Sequence, residues 1–107
     1  MRQIRPIELK QWLDDPQRQP PLLLDVRELW EFERCHIPDA RLVPMGSVPA
    51  HLTELDTERE TVVICHHGVR SYHVARFLEH NGFRNVINLS GGVDAWAKEV
   101  DPSMPFY

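Results

Sequence analysis

Thr61-Val62-Val63-Ile64 is β-branched throughout and runs, with no turn signal, straight into Cys65. A run of this kind, apolar with no alternation, reads as a strand buried on both faces. Leu22-Leu23-Leu24 and Val86-Ile87-Asn88-Leu89 have the same character. Segments with helical spacing lie between and around them. Ser71 to about His80 is the clearest, with Val74, Ala75, Phe77 and Leu78 as apolar positions and Asn81-Gly82 as its stop. Gly91-Gly92 breaks the last strand, and Val93 to about Val100 reads as a closing helix. Pro6 to about Leu13 reads as a first helix, with Pro6 at a tolerated first-turn site and Ile7, Leu9 and Leu13 apolar. Glu28 to about Arg34 is a short helix with Leu29 and Phe32 inward, Ala40 to Val43 a short strand, and Gly46 to Leu55 a helical turn or two. Strand alternating with helix implies an α/β fold, a central parallel sheet flanked by helices on both faces. Ligands of such sheets sit at the carboxyl ends of strands. Asp25-Val26-Arg27 and Cys65 to Ser71 are the two loops placed there.

Size and charge narrow the function. The chain has 107 residues, enough for one domain spanning 1–107 with a core that needs no disulfide staples. With 42% hydrophobic and 26% charged residues it has the composition of a soluble globular protein. No apolar run approaches the roughly 20 residues of a membrane-spanning helix, and no apolar signal core follows Met1-Arg2-Gln3-Ile4-Arg5-Pro6. No membrane association is expected. The net charge of −4 argues against a nucleic-acid partner. The two cysteines, Cys35 and Cys65, are expected to be free thiols in a non-exported chain, with the cytoplasm as the default compartment.

Chemistry concentrates in Cys65-His66-His67-Gly68-Val69-Arg70-Ser71, between a buried strand and a helix. A helix N-terminus leaves backbone N–H groups without internal partners and carries partial positive charge. Both favour an anion, either a bound substrate or the Cys65 thiolate. Gly68 lets the backbone curl so that successive N–H groups form an anion nest. Arg70 offers a forked, permanently charged donor for an oxyanion such as thiosulfate. Ser71 is placed as the N-cap.

This loop resembles the active-site loop of the rhodanese family, whose pattern is Cys-x-x-Gly-x-Arg-Ser. Leu24-Asp25-Val26-Arg27-Glu28 resembles its Asp-x-Arg motif. Glu31-Phe32 with His36-Ile37-Pro38-Asp39-Ala40 resembles its Glu-Phe-x-x-Gly-His-Ile-Pro-Gly-Ala motif, and Asn85 to Leu89, Gly91-Gly92 and Trp96 its closing strand, Gly-Gly and Trp. The motifs fall in the family's order over about Ile4 to Pro105. The resemblance implies a parallel sheet of about five strands and a sulfurtransferase reaction in two steps. Cys65 attacks the outer sulfur of a donor such as thiosulfate, releasing sulfite. The persulfide is then attacked by a thiophilic acceptor, cyanide or a thiol. His66, His67, Gly68, Val69, Arg70 and Ser71 would bind substrate, and no metal or organic cofactor is implied. Partners would be small sulfur-containing anions and a small-thiol or protein acceptor.

Cys35 and Asp39 depart from the pattern, standing where the family has glycines. Cys35 is expected to be a partly exposed, inert thiol; the alternative is a second thiol resolving the Cys65 persulfide. The side chains of His66 and His67 are expected to face solvent while their N–H groups work. Adjacent histidines do not easily reach one tetrahedral ion, and no Cys-x-x-Cys pair supports a metal. Asp25 and Arg27 are possible supporting residues, more simply a structural ion pair. His36 is read as bracing the turn before Pro38. Trp12 and Trp96 read as core, and Trp30 as a possible rim for a protein partner. The segment Asp101 to Pro105 is expected to lie along the surface.

Three rivals remain. Phosphatases and arsenate reductases also ring an anion with Cys and Arg, but with five residues between them; four intervene here, His66 to Val69, a tighter ring suited to a terminal sulfur. A non-catalytic binding module commonly lacks the cysteine. A sulfur-relay component shares the Cys65 chemistry and differs only in its partner.

Overall fold

The computed structural model describes residues 1–107. Five strands, all paired in parallel, form one sheet in the order β1-β5-β4-β2-β3. They are β1 (Arg2–Ile4), β2 (Leu22–Asp25), β3 (Arg41–Leu42), β4 (Thr61–Ile64) and β5 (Val86–Leu89). The helices are α1 (Pro6–Leu13), α2 (Leu29–Arg34), α3 (Val48–His51), α4 (Val69–His80) and α5 (Gly92–Glu99). The strand that ends at Cys65 is central, flanked by β2 and β5. Strand β1 had no sequence signal of its own. Arg2 and Gln3 are exposed, and its place comes from pairing with β5, Ile4 opposite Leu89.

Side-chain alternation along the strands divides the core in two. Leu23, Val62, Ile64 and Ile87 face α1 and α5, against Leu9, Trp12, Trp96 and Ala97. Leu24, Val63, Cys65 and Val86 face α3 and α4, against Val48, Val74, Ala75 and Leu78. Each of the larger apolar side chains contributes about 1.5–3 kcal/mol by burial. Cys65 thus continues the strand's alternation onto the α4 side.

Several expectations need correction. Ile7 is 40% and Leu29 59% exposed, and Phe77 also reaches solvent. The inward position of α2 is Glu31, while Phe32 is half-buried against the ring of His36. Helix α4 begins at Val69, two residues before the expected start, because Gly68 at φ 100° turns the chain into the helix early. Ser71 is therefore buried inside the first turn and is not the cap. Cys35 is buried, not partly exposed. It lies in the α1/α5 core while Cys65 lies in the α3/α4 core, so the fold does not bring the two thiols together. The tail does not simply follow the surface: Met104 joins the core, and Tyr107 returns to the carboxyl end of the sheet. No helix is long and apolar enough to cross a membrane.

Candidate active site

The loop after β4 is shaped from two sides. From below, α5 begins against it: the N–H of Val93 donates to the Cys65 carbonyl at 2.9 Å and that of Asp94 to the His66 carbonyl at 3.0 Å. Two otherwise unpartnered N–H groups of a helix start are thereby satisfied. The loop carbonyls turn towards α5, leaving loop N–H groups free for the other side. Gly92 makes this approach possible, since a Cβ there would collide with the Cys65 and His66 carbonyls. The sequence pattern shows Gly91-Gly92 only as a strand breaker. The second glycine is where α5 meets the reactive loop.

From above, the first turn of α4 closes on the sulfur. The Gly68 N–H donates to Cys65 Sγ at 3.0 Å, and Ser71 Oγ lies 3.3 Å from it. Cys65 is 1% exposed. The Gly68 carbonyl accepts from Asn88 Nδ2 at 3.2 Å, which ties the loop to β5. Asn88 is buried on the same face of the sheet as Val63, its register partner. A lone polar residue in the run Val86-Ile87-Asn88-Leu89 is the sequence signal that could have marked it.

The structure brings Arg70 to the site through a residue not singled out for it. Arg70 gives both terminal nitrogens to Glu31, Nη1 to Oε1 at 2.7 Å and Nη2 to Oε2 at 2.8 Å. Glu31 also accepts the Glu28 N–H at 3.0 Å and the Tyr107 hydroxyl at 2.9 Å. The Arg70 hydrogen bonds hold its carboxyl far below the ordinary range, at about 2, against the opposing effect of burial. Arg70 is correspondingly held in its charged form by Glu31. The capping pattern of Glu28 and Glu31 at the start of α2 is the local signal for this carboxylate.

Asp25 and Arg27 form a separate, closed unit. Arg27 Nη2 lies 2.7 Å from Asp25 Oδ2, and both side chains are fully buried. Arg27 also donates to the Cys35 carbonyl, the Glu31 carbonyl and Tyr107 Oη. Burial alone would weaken its charge, yet Asp25 and Tyr107 more than offset that. Tyr107 itself is pushed up to about 12, chiefly by burial, so its phenol stays protonated and keeps its bond to Glu31.

The His67 side chain faces solvent as expected, 63% exposed, whereas His66 is half-buried. Their rings stack at 3.9 Å, and His66 stacks in turn on Tyr107 at 3.9 Å. Burial, then the neighbouring His67, lowers the pKa of His66 and favours its neutral ring. The stacking also brings His66, His67 and Asp94 ligand atoms within 4.8 Å of one another. The divergence expected of adjacent histidines is thus overcome, although Asp94 already pairs with Lys98 at 3.0 Å. His36 Nδ1 sits 2.8 Å from the Phe32 carbonyl, at the end of α2. Trp12 and Trp96 are core, and Trp30 is 61% exposed beside Tyr107. The largest cavity, about 740 Å³, lies away from Cys65, at the amino ends of the strands beside Leu22, Ile37 and Trp96.

Comparison with known proteins gives one consistent answer. The family described as rhodanese-like domain matches residues 6–99. A sulfurtransferase of Allochromatium vinosum is 39% identical over 81 residues, 76% of this chain and 76% of that protein. The adenylyltransferase and sulfurtransferase MOCS3 of Drosophila ananassae is 33% identical over 112 residues, 94% of this chain but 24% of that protein. The chain spans about a quarter of the length of the first curated relatives it matches. A rhodanese-like domain protein of Staphylococcus aureus has a solved structure that superposes with a TM-score of 0.84 at 35% identity, covering 94% of this chain and 95% of that one.

Proposed function

The chain belongs to the rhodanese-like domain family, and from that membership and the loop geometry we propose that it moves a sulfane sulfur through a persulfide on Cys65. The observation that carries the reading is the Gly68 N–H aimed at Cys65 Sγ, 3.0 Å away, at the start of a helix. That donor, with the partial positive charge of the helix start, favours negative charge on the sulfur.

The donor is a small sulfur-containing anion such as thiosulfate. The Cys65 thiolate attacks its outer sulfur; a new S–S bond forms, the old one breaks, and sulfite leaves with the bonding pair. An acceptor thiolate, or cyanide, then attacks the outer sulfur of the persulfide, and the Cys65 thiolate is regenerated. Arg70 steers the anion. Its two bonds to Glu31 leave three of its five N–H groups to face a second anion. His66, His67, Val69 and Ser71 shape the same loop, and Asp25 with Arg27 holds the neighbouring strand end. The physiological acceptor is a small thiol or a protein, as in a sulfur relay, acting in the cytoplasm.

Incubation with thiosulfate followed by intact-mass measurement tests this. One sulfur should be gained on Cys65, lost on cyanide addition with thiocyanate formed, and absent in Cys65→Ser. Equal thiocyanate production by the two proteins would refute the proposal.

A further inference from the structure

The hydrogen bonds beneath Cys65 have a direction that can be read from one fixed point. A backbone carbonyl only accepts, so the Asn88 side-chain atom 3.2 Å from the Gly68 carbonyl is the nitrogen. The other Asn88 atom, facing Ser71, is then the oxygen, which also only accepts. Ser71 Oγ, 2.5 Å from Asn88 Oδ1, must spend its one proton on that bond. What Ser71 turns towards Cys65 Sγ, 3.3 Å away, is a lone pair.

We propose that Asn88 is a positioning residue that holds the Ser71 hydroxyl proton away from Cys65, so that Ser71 accepts from the neutral thiol and does not donate to the thiolate. The inference rests on Cys65 being the reacting sulfur. Two groups of the same turn then act in opposite senses. The Gly68 N–H favours the charged sulfur, and the Ser71 oxygen favours the thiol. Asn88 sets both, because it anchors the Gly68 carbonyl and takes the Ser71 proton. Asn88 itself is fixed by its second donor bond, 3.1 Å to Gln3 Oε1 on β1. This gives the edge strand a part in tuning the centre of the sheet.

The test is the rate of alkylation of Cys65 by iodoacetamide as a function of pH, in a Cys35→Ala background. In Asn88→Leu the Ser71 hydroxyl is released and can donate to the thiolate. The midpoint of the profile should fall by about one pH unit, the size of one hydrogen bond to a charged group. In Ser71→Ala/Asn88→Leu that shift, relative to Ser71→Ala, should vanish. The charged and titratable groups facing the loop are unchanged throughout: Arg70 from α4, Glu31 and the Asp25–Arg27 pair, the His66, His67 and Asp94 cluster, and Tyr107 from the tail. A shift that persists without the Ser71 hydroxyl would show that Asn88 acts only by supporting the loop, and would overturn the proposal. Asn88→Leu also strips the Gly68 carbonyl of its side-chain donor, leaving it the Tyr72 N–H at 3.3 Å; if it does not fold, Ser71→Ala alone decides by sign. A midpoint that falls supports the inference; one that stays means the Ser71 oxygen does not favour the thiol, one that rises means Ser71 donates to the thiolate in the native protein, and either would overturn it. Alkylation reads the thiol without any sulfur donor. Failure to form a persulfide would therefore count against the proposed function and leave this result standing.

Discussion

Two arginine–carboxylate pairs stand near one another at the carboxyl end of the sheet, and they are built for different work. Arg27 is fully buried and spends every donor: Nε on Asp25, Nη1 on Tyr107 and the Glu31 carbonyl, Nη2 on Asp25 and the Cys35 carbonyl. Nothing is left for a ligand. Arg70 is about one-third exposed and bonds only to Glu31. The first is a closed brace that joins the end of β2, the end of α2 and the tail. The second is an open clamp whose charge is kept in place by one carboxylate and remains available to an anion. Saturation of the guanidinium, not the presence of an arginine in the loop, separates structure from chemistry.

The sharpest way to break this contrast is Arg27→Ala. It leaves the Asp25 carboxylate buried without its partner, and removal of one member of a buried pair costs about 3–5 kcal/mol. Urea unfolding should show a loss of that order, a large part of the stability of a small domain. An unchanged midpoint would mean that the pair is not the brace. Arg70→Ala should weight the two effects the other way. Its loss of stability should be smaller, on the order of 2 kcal/mol from the lost Glu31 pairing, while sulfur loading from thiosulfate falls by about 10- to 100-fold, the worth of one charge-assisted contact. Loading at the native rate would remove Arg70 from the site.

Acid provides a third test. The Glu31 carboxyl lies at about 2 in the folded chain against an ordinary 4.5. Its pairing with Arg70 therefore stabilises the fold fully above pH 4.5 and is lost as pH falls from there towards 2. Because Arg70 is partly solvated, the contribution is on the order of 2 kcal/mol. The stability gap between the native chain and Glu31→Gln should be constant near neutrality and shrink across that window; a gap that does not change with pH would rule the pair out as its source. The smallest effect is expected of Tyr107→Phe, which removes one acceptor from Arg27 and one donor from Glu31. A loss of about 1–2 kcal/mol in thermal or urea unfolding is expected, with more of it felt by the closed pair than by the open one. Intact stability would show that the brace closes without the tail.

Much of this was legible in the chain. The β-branched run into Cys65, the glycine three residues on and Arg70 beyond it place a thiol at a strand-to-helix junction without any structure, because strand burial and helix starts leave local patterns. Pro6–Leu13 likewise emerges as expected, since Pro6 and the Leu9/Trp12 spacing are local too. The misses have separate causes. Glu31 turned inward in place of Leu29 because its partners, Arg70 and Tyr107, lie 39 and 76 residues away. No periodicity reports a partner at that distance. Ser71 was read as a cap because a serine near a helix start usually is one; Gly68, at φ 100°, starts the helix earlier and turns Ser71 into the core.

Composition and spacing alone pointed to the α/β class, to the buried strand that runs into Cys65, and to the cysteine and arginine of the loop that follows, since each rests on patterns among near neighbours in sequence. Only the tertiary structure decided which arginine is free and which is saturated, that Asn88 governs the Ser71 proton, that Cys35 lies in a separate core, and that Tyr107 closes over the site. Those outcomes depend on which distant hydrogen-bonding groups meet once the sheet has assembled, and every buried donor must then find its acceptor among whatever the fold brings near.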